Sequence, residues 1–429
     1  MTSLLLLIPA APAVTFVGLL LWWLLGDTPS ERTISRLSTL AATVGVVAAA
    51  WVGWTLFQTG AAELRTPELD WVTVGRYHFE LELLVDRVSW PLVMLTSILV
   101  GLIGVFSVRY VHRERGFFRF FLALNLFAAG AQLVLTAASF DLMCAGWELV
   151  GLTSVLLVAF FHEREQPVRN ALQVFAFYRA ADLGLLAAIL MLHRVFDTTV
   201  IAHVTSGDHA VPEWITLSLA LLLLLAAAGK SAQGPFSAWL PRAMEGPTPS
   251  SAIFYGAISV HLGAYVLLRI EPVLQAAPLA AWATILIGAG TAIVATLVHR
   301  ATSDAKSSIA YSGMTQLGLI FVEVGAGWTT LALAHIVGHA IVRAVQFLRA
   351  PSMLHDFHRV HAAAGGHLPE TGTHFDRMVP AWLQRRLYRA ALERGYSDIL
   401  VDRMIVTPLT RLSRWFEALE TRRRGRVNA

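Results

Sequence analysis

The chain has 429 residues, 56% hydrophobic and only 14% charged, with a formal net charge of +4 and a mean hydropathy of +0.60. That balance excludes a soluble globule and is the composition of a polytopic, all-α membrane protein. The lone Cys144 excludes an intramolecular disulfide, and the excess positive charge sits largely in an Arg-rich C-terminus, as expected for a cytoplasmic tail beside anionic lipid rather than a nucleic-acid interface.

Windows of about twenty apolar residues, the length that spans a bilayer, fall near residues 3–25, 37–59, 89–110, 118–138, 140–161, 171–193, 213–232, 249–270, 277–299, 306–326 and 329–350. Eleven spans are therefore expected. The first lacks a basic leader and contains Pro9 and Pro12, so it reads as a retained helix. Threading the spans in alternation gathers Arg32, Arg36, Arg109, Arg113, Arg115, Arg119, Arg164, Arg169, Arg242, Arg300 and the tail arginines on one side. The positive-inside rule then sets the N-terminus outside and the C-terminus in the cytoplasm of a bacterial inner membrane.

Residues 1–60 make N-terminal spans, and 61–87 an exterior β-hairpin, because Trp71 to Leu81 alternates with period two around Gly75. Residues 88–350 form the helical core. In 351–380, His355, His358, His361, His367 and His374 stand among Gly and Pro and read as a loop, for docking or for metal capture. Residues 381–420 carry an amphipathic helical pattern broken at Pro408, lying along the membrane or on a partner, with Trp382, Tyr396 and Trp415 as docking residues.

Of thirty-three Lys plus Arg only Lys230 and Lys306 are Lys, the cation that can release a proton when desolvated. Glu148 follows Trp147 mid-span, where a carboxylate has to be paired or protonated. Arg179 and Asp182, at i,i+3, share one face of the next span. One economical arrangement sets Glu148 against that pair, as a proton site or as a purely structural salt bridge. Lys230 precedes Gly234-Pro235, which breaks the helix and frees carbonyls at membrane depth. A titratable residue at such a break recurs at transport sites; the alternative is a Lys that snorkels to water.

Gly246-Pro247-Thr248-Pro249 makes a tight re-entry into a span offering Tyr255, His261 and Tyr265. Asp304-Ala305-Lys306 opens the tenth span, with Tyr311 and Gln316 further in. His335, His339 and Arg343 recur every fourth residue, a polar stripe down one helix. It suits a hydrated proton relay better than a metal site, since no carboxylate or thiol is expected beside it. No nucleotide, haem or iron–sulfur motif is present, so no cofactor is expected in this chain.

Residues 86–350 resemble the antiporter-like proton-pumping membrane subunits of respiratory complex I (the L or chain-5 type) and of multisubunit Na+/H+ antiporters. The resemblance rests on Asp86-Arg87-Val88-Ser89, Gly116 to Phe121, Gly146-Trp147-Glu148-Leu149-Val150-Gly151-Leu152, Gly229-Lys230-Ser231-Ala232-Gln233, Gly246 to Ala252, Asp304 to Ser312 and His335 to Ala340. It implies inverted five-helix repeats, a coupled Glu148–Lys230 pair, family positions at Arg179 and Asp182, and a lateral path through Lys306, His335 and His339 that carries H+ or Na+. Tyr255 stands where the L type usually has His, and Arg343 where Lys is common. The second repeat stops after three helices, and Tyr396 to Pro408 resembles the start of the long lateral helix. A shortened member with a cytoplasmic tail is similar to the membrane subunit of the two-component inorganic-carbon accumulation complex (DabB-type). That resemblance implies a zinc-containing, carbonic-anhydrase-like cytoplasmic partner and cation flux coupled to CO2 or bicarbonate uptake. The alternatives are a membrane-arm subunit of a redox-driven pump and a non-conducting scaffold.

Overall fold

A computed structural model of the chain describes residues 3–74, 77–206, 211–363 and 379–396, together with 403, 407, 408, 411, 414 and 415. Backbone polar groups in hydrocarbon have to pair within their own segment, and long helices accordingly dominate. In order they are α1 (Ser3–Leu24), α2 (Glu31–Thr59), α3 (Ser89–Tyr110), α4 (Phe117–Thr136), α5 (Phe140–Val158), α6 (Glu165–Val195), α7 (Glu213–Lys230), α8 (Thr248–Arg269), α9 (Pro278–Ala301), α10 (Ala305–Gly325), α11 (Thr329–Ala363) and α12 (Ala381–Leu392). Side-chain caps start several of them: Ser139 Oγ accepts from the Leu142 amide, and Asp304 from the Ser307 amide at 2.7 Å.

Ten helices among the described residues are long and apolar enough to cross a membrane, against the eleven expected. The difference is α10, which has 21 residues but is made too polar by Ser307, Ser308, Tyr311, Gln316 and Glu323. It packs along α9 and α11, with Leu319 exposed. The expected loop over 351–380 also needs correction, because α11 runs on to Ala363. The fall in hydropathy after Arg349 marks the end of the apolar stretch, not of the helix, which continues through Pro351 into a more polar run. His355, His358 and His361 thus fall on this helix, whereas His367 and His374 lie outside the described residues.

The segment between α2 and α3 is a nested pair of hairpins. β1 (Glu63–Arg65) pairs antiparallel with β4 (Leu84–Asp86), enclosing the antiparallel pair β2 (Asp70–Val74) and β3 (Tyr77–Glu80). Asp86 then ties the segment to the bundle. Its Oδ1 accepts from the Val88 and Ser89 amides at 3.0 and 2.8 Å, and its Oδ2 pairs with Arg269 at the end of α8.

α8 is the central span, every residue of its apolar window being buried. It is not a regular helix: a π-helical stretch at Ser251–Ala257 is followed by a 3-10 turn at Ser259–His261. α7 ends at Lys230, and the chain crosses Ser231–Pro235 before short helical turns from Phe236 to Glu245. The break expected at Gly234 and Pro235 is therefore present. Its freed backbone groups find partners: the Gly234 amide donates to Thr291 Oγ1 at 2.9 Å, and Trp239 Nε1 donates to the Gly229 carbonyl at 2.8 Å.

Candidate functional site

The first group of ionisable residues lies where α5, α6 and the end of α7 meet. Arg179 Nη2 pairs with Glu148 across the helices and with Asp182 at 2.8 Å along its own helix. Trp147 Nε1 donates to Asp182 Oδ1 at 2.6 Å. Lys230 is 1% exposed; its Nζ donates to the Trp147 carbonyl at 3.2 Å and lies 4.4 Å from the Trp147 ring centre and 4.9 Å from that of Tyr178. Cation–π contact thus holds a desolvated ammonium beside, not upon, the carboxylates. Two acids and two bases make the group neutral when all are charged. Release of the Lys230 proton leaves one negative charge, which draws the next proton in.

Gly151 of the Gly146-to-Leu152 motif lines this group. A Cβ there would sit 3.5 Å from Lys230 Nζ and 3.7 Å from Arg179 Nη2, inside the gap between the two cations. Beyond Lys230 the polar contacts continue from Tyr178 hydroxyl to Ser154 Oγ at 3.0 Å and on to the Tyr255 hydroxyl at 2.9 Å.

The second group lines α8, α10 and α11. Arg343 Nε donates to His339 Nε2 at 3.0 Å. His339 Nδ1 lies 2.8 Å from His261 Nε2, and His261 Nδ1 lies 2.6 Å from the Ala257 carbonyl. A guanidinium only donates and a carbonyl only accepts, so the tautomers are settled. His339 carries its proton on Nδ1 and gives it to His261, which carries its own on Nδ1 and gives it to Ala257. The Ala257 carbonyl is left for this bond by the π-helical stretch. Arg343 also donates to Ser312 Oγ at 2.8 Å and to Gln346 Oε1 at 2.7 Å.

One turn away, His335 Nδ1 meets Glu323 Oε1 at 2.8 Å and its Nε2 meets Gln316 Oε1 at 3.1 Å. The expectation that no carboxylate stands near the histidine stripe is thereby corrected. Glu323, between Val322 and Val324, carried the signal that singled out Glu148, an acid inside an apolar run. Among the described residues no three His, Cys, Asp or Glu side chains converge as a metal site.

Lys306 stands apart from both groups. Its Nζ donates to the carbonyls of Gly246 at 3.1 Å and Met244 at 3.5 Å, at the tight re-entry before Pro247 and Pro249. Of the residues expected to dock a partner, Trp382 and Trp415 are exposed, and Tyr396 closes a 3-10 turn after α12. The break expected at Pro408 falls outside the continuously described chain.

Helices of spanning length, a broken helix with a buried Lys at the break, and acids and histidines inside the bundle together define an antiporter-like membrane subunit. The comparisons with known proteins agree. Residues 137–365 match the family described as NADH:quinone oxidoreductase/Mrp antiporter, TM, and residues 71–121 match NADH-Ubiquinone oxidoreductase (complex I), chain 5 N-terminus. The chain belongs to this family. NADH-quinone oxidoreductase subunit L of Mycobacterium tuberculosis is 34% identical over 290 residues, 67% of this chain and 46% of the relative. The same-named protein of Neisseria meningitidis is 30% identical over 358 residues, 80% of this chain and 53% of the relative. The chain thus spans about half the length of the curated relatives it matches. A chain in the solved Mrp complex from Dietzia sp. superposes with a TM-score of 0.70 at 25% identity, over 80% of this chain and 37% of that one. A chain of the membrane-bound sulfane sulfur reductase, an archaeal respiratory membrane complex, gives 0.69 at 18% identity over 81% and 70%, a likeness of fold alone.

Proposed function

We infer that the chain is a cation-translocating subunit of a multisubunit membrane complex, in which proton movement through the Glu148–Arg179–Asp182–Lys230 group is coupled to work elsewhere in the assembly. The observation that carries this reading is the buried Lys230 at the helix break, joined through Trp147 and Asp182 to a guanidinium shared by two carboxylates. A purely structural pair would need no second base held off the acids by two aromatic rings. H+ is the natural cargo for groups that titrate, and Na+ is the alternative. Replacing Na+ by choline in vesicles that hold the complex distinguishes them: an unchanged rate supports H+, and a lost rate supports Na+.

In the complex as purified with its partners, Glu148→Gln and Lys230→Ala are expected to lower coupled translocation at least tenfold with subunit composition unchanged. Wild-type rates in both variants would leave the scaffold reading.

Two couplings were expected from sequence. The names of the relatives, NADH-quinone oxidoreductase subunit L among them, favour membership of a redox-coupled or Mrp-like assembly. Coupling to CO2 or bicarbonate uptake through a zinc-containing, carbonic-anhydrase-like partner is the second reading, supported by the sequence resemblance alone. Co-purification from the native membrane separates them: quinone-reductase or antiporter subunits support the first, and a zinc protein the second. The inner-membrane location and the outside N-terminus belong to the same proposal, supported by the one-sided distribution of arginines.

A further inference from the structure

Glu323 and Lys306 stand at opposite ends of α10, 17 residues and roughly 26 Å apart along its axis. Along the face of α10 towards α11, Ser312 meets Arg343, Gln316 meets His335, and Glu323 meets His335. Glu323 therefore ends a polar ladder beside the turn from α10 into α11. One of its carboxylate oxygens is held by His335, while the other, Oε2, is buried and has no hydrogen-bond partner among the described residues. A carboxylate buried with one oxygen unsatisfied is costly for a merely structural pair.

The contacts of His335 give the pair two states. With Nε2 donating to Gln316 Oε1, the proton between Nδ1 and Glu323 Oε1 has two places to sit: on the ring, giving a cation against a carboxylate, or on the acid, giving two neutral groups. We propose that Glu323 is the terminal proton-exchange group of the α10–α11 ladder, passing a proton between His335 and the aqueous side at the α10–α11 turn. In the elementary step the His335 Nδ1–H bond breaks and a Glu323 Oε1–H bond forms. An imidazolium and a carboxylate become a neutral imidazole and a carboxylic acid, whose proton then leaves to water. The inference deepens the proposed function and rests on it.

The test uses the complex as purified with its partners, in vesicles, with proton translocation read as quenching of an acridine dye. Glu323→Gln keeps the volume and an acceptor for His335 but cannot exchange a proton; it is expected to lower the rate at least fivefold. Glu323→Asp is expected to restore at least half of the rate. If Glu323→Gln does not assemble, the neutral pair Glu323→Gln with His335→Gln replaces it, with the same loss expected. Either assembled variant translocating at the wild-type rate overturns the proposal, as does Glu323→Asp behaving like Glu323→Gln. Glu148→Gln run in parallel keeps the two readings apart. If it is dead while Glu323→Gln is active, only the role of Glu323 fails; if both are active, the proposed function fails with it.

Discussion

Lys230 has two aromatic faces and a carbonyl for neighbours, and no carboxylate oxygen bonded to its Nζ. That arrangement makes one conservative substitution diagnostic. Lys230→Arg keeps a permanent cation on the rings, so assembly is expected to survive while translocation falls at least tenfold; a wild-type rate in that variant would show that no proton leaves this position. Asp86, outside the spans, offers a separate prediction. Burial alone would push its carboxyl up, but the Arg269 guanidinium and the Ser89 amide hold it below the ordinary carboxylate value. A depressed value in the folded state stabilises at pH above the unfolded one, near 4, and that contribution is lost as pH falls through the folded value. Asp86→Asn is expected to cost roughly 2 kcal/mol at pH 7, with the difference from wild type narrowing below about pH 4. A gap that persists unchanged at pH 3, read by thermal unfolding in detergent, would place the loss in packing instead. Glu148, Arg179 and Asp182 were legible because acids and bases inside apolar runs are costly and i,i+3 spacing fixes a shared face. Glu323 carried the same signal and was not singled out. Its partner His335 lies twelve residues on, across a turn that sequence does not fold.

Among the elements, the break after Lys230 was legible because proline marks it, whereas the π-helical stretch in α8 has no such mark. Ser251–Ala257 is an ordinary run of small and apolar residues, and what holds it is packing on every side. Close approach of helices was equally hidden. A Cβ on Gly288 would collide with the Gly318 carbonyl, and one on Gly318 with that of Gly288, so α9 and α10 touch backbone to backbone. Gly288→Val is expected to destabilise the bundle by about 2 kcal/mol, read as a lower thermal midpoint of the purified chain, with Gly290→Val as the contrast. A Cβ at Gly290 meets nothing within 4 Å, and equal losses at the two positions would show that the crossing does not depend on the glycine pair.

At the scale of the whole molecule, Glu148 and Arg179 are 34% and 38% exposed on the outside of a membrane-embedded bundle. Hydrocarbon solvates such groups poorly, which accords with a neighbouring polar surface in an assembly. Trp382 on α12 is likewise exposed, with the Arg386 guanidinium over its ring. The bundle of apolar helices was legible from hydropathy, because bilayer thickness sets the length of each run. α10 was among the expected spans, and its polar Gln316 and Glu323 turn to His335 on α11 rather than to lipid.

The tautomers of His261 and His339 carry a last consequence. Each ring has only one nitrogen able to receive a proton, and both are already filled: that of His339 by Arg343, and that of His261 by His339. Neither can be charged while the guanidinium stays where it is. Arg343 therefore bars both rings, and a proton could pass through them only if the guanidinium first gave up its bond to His339.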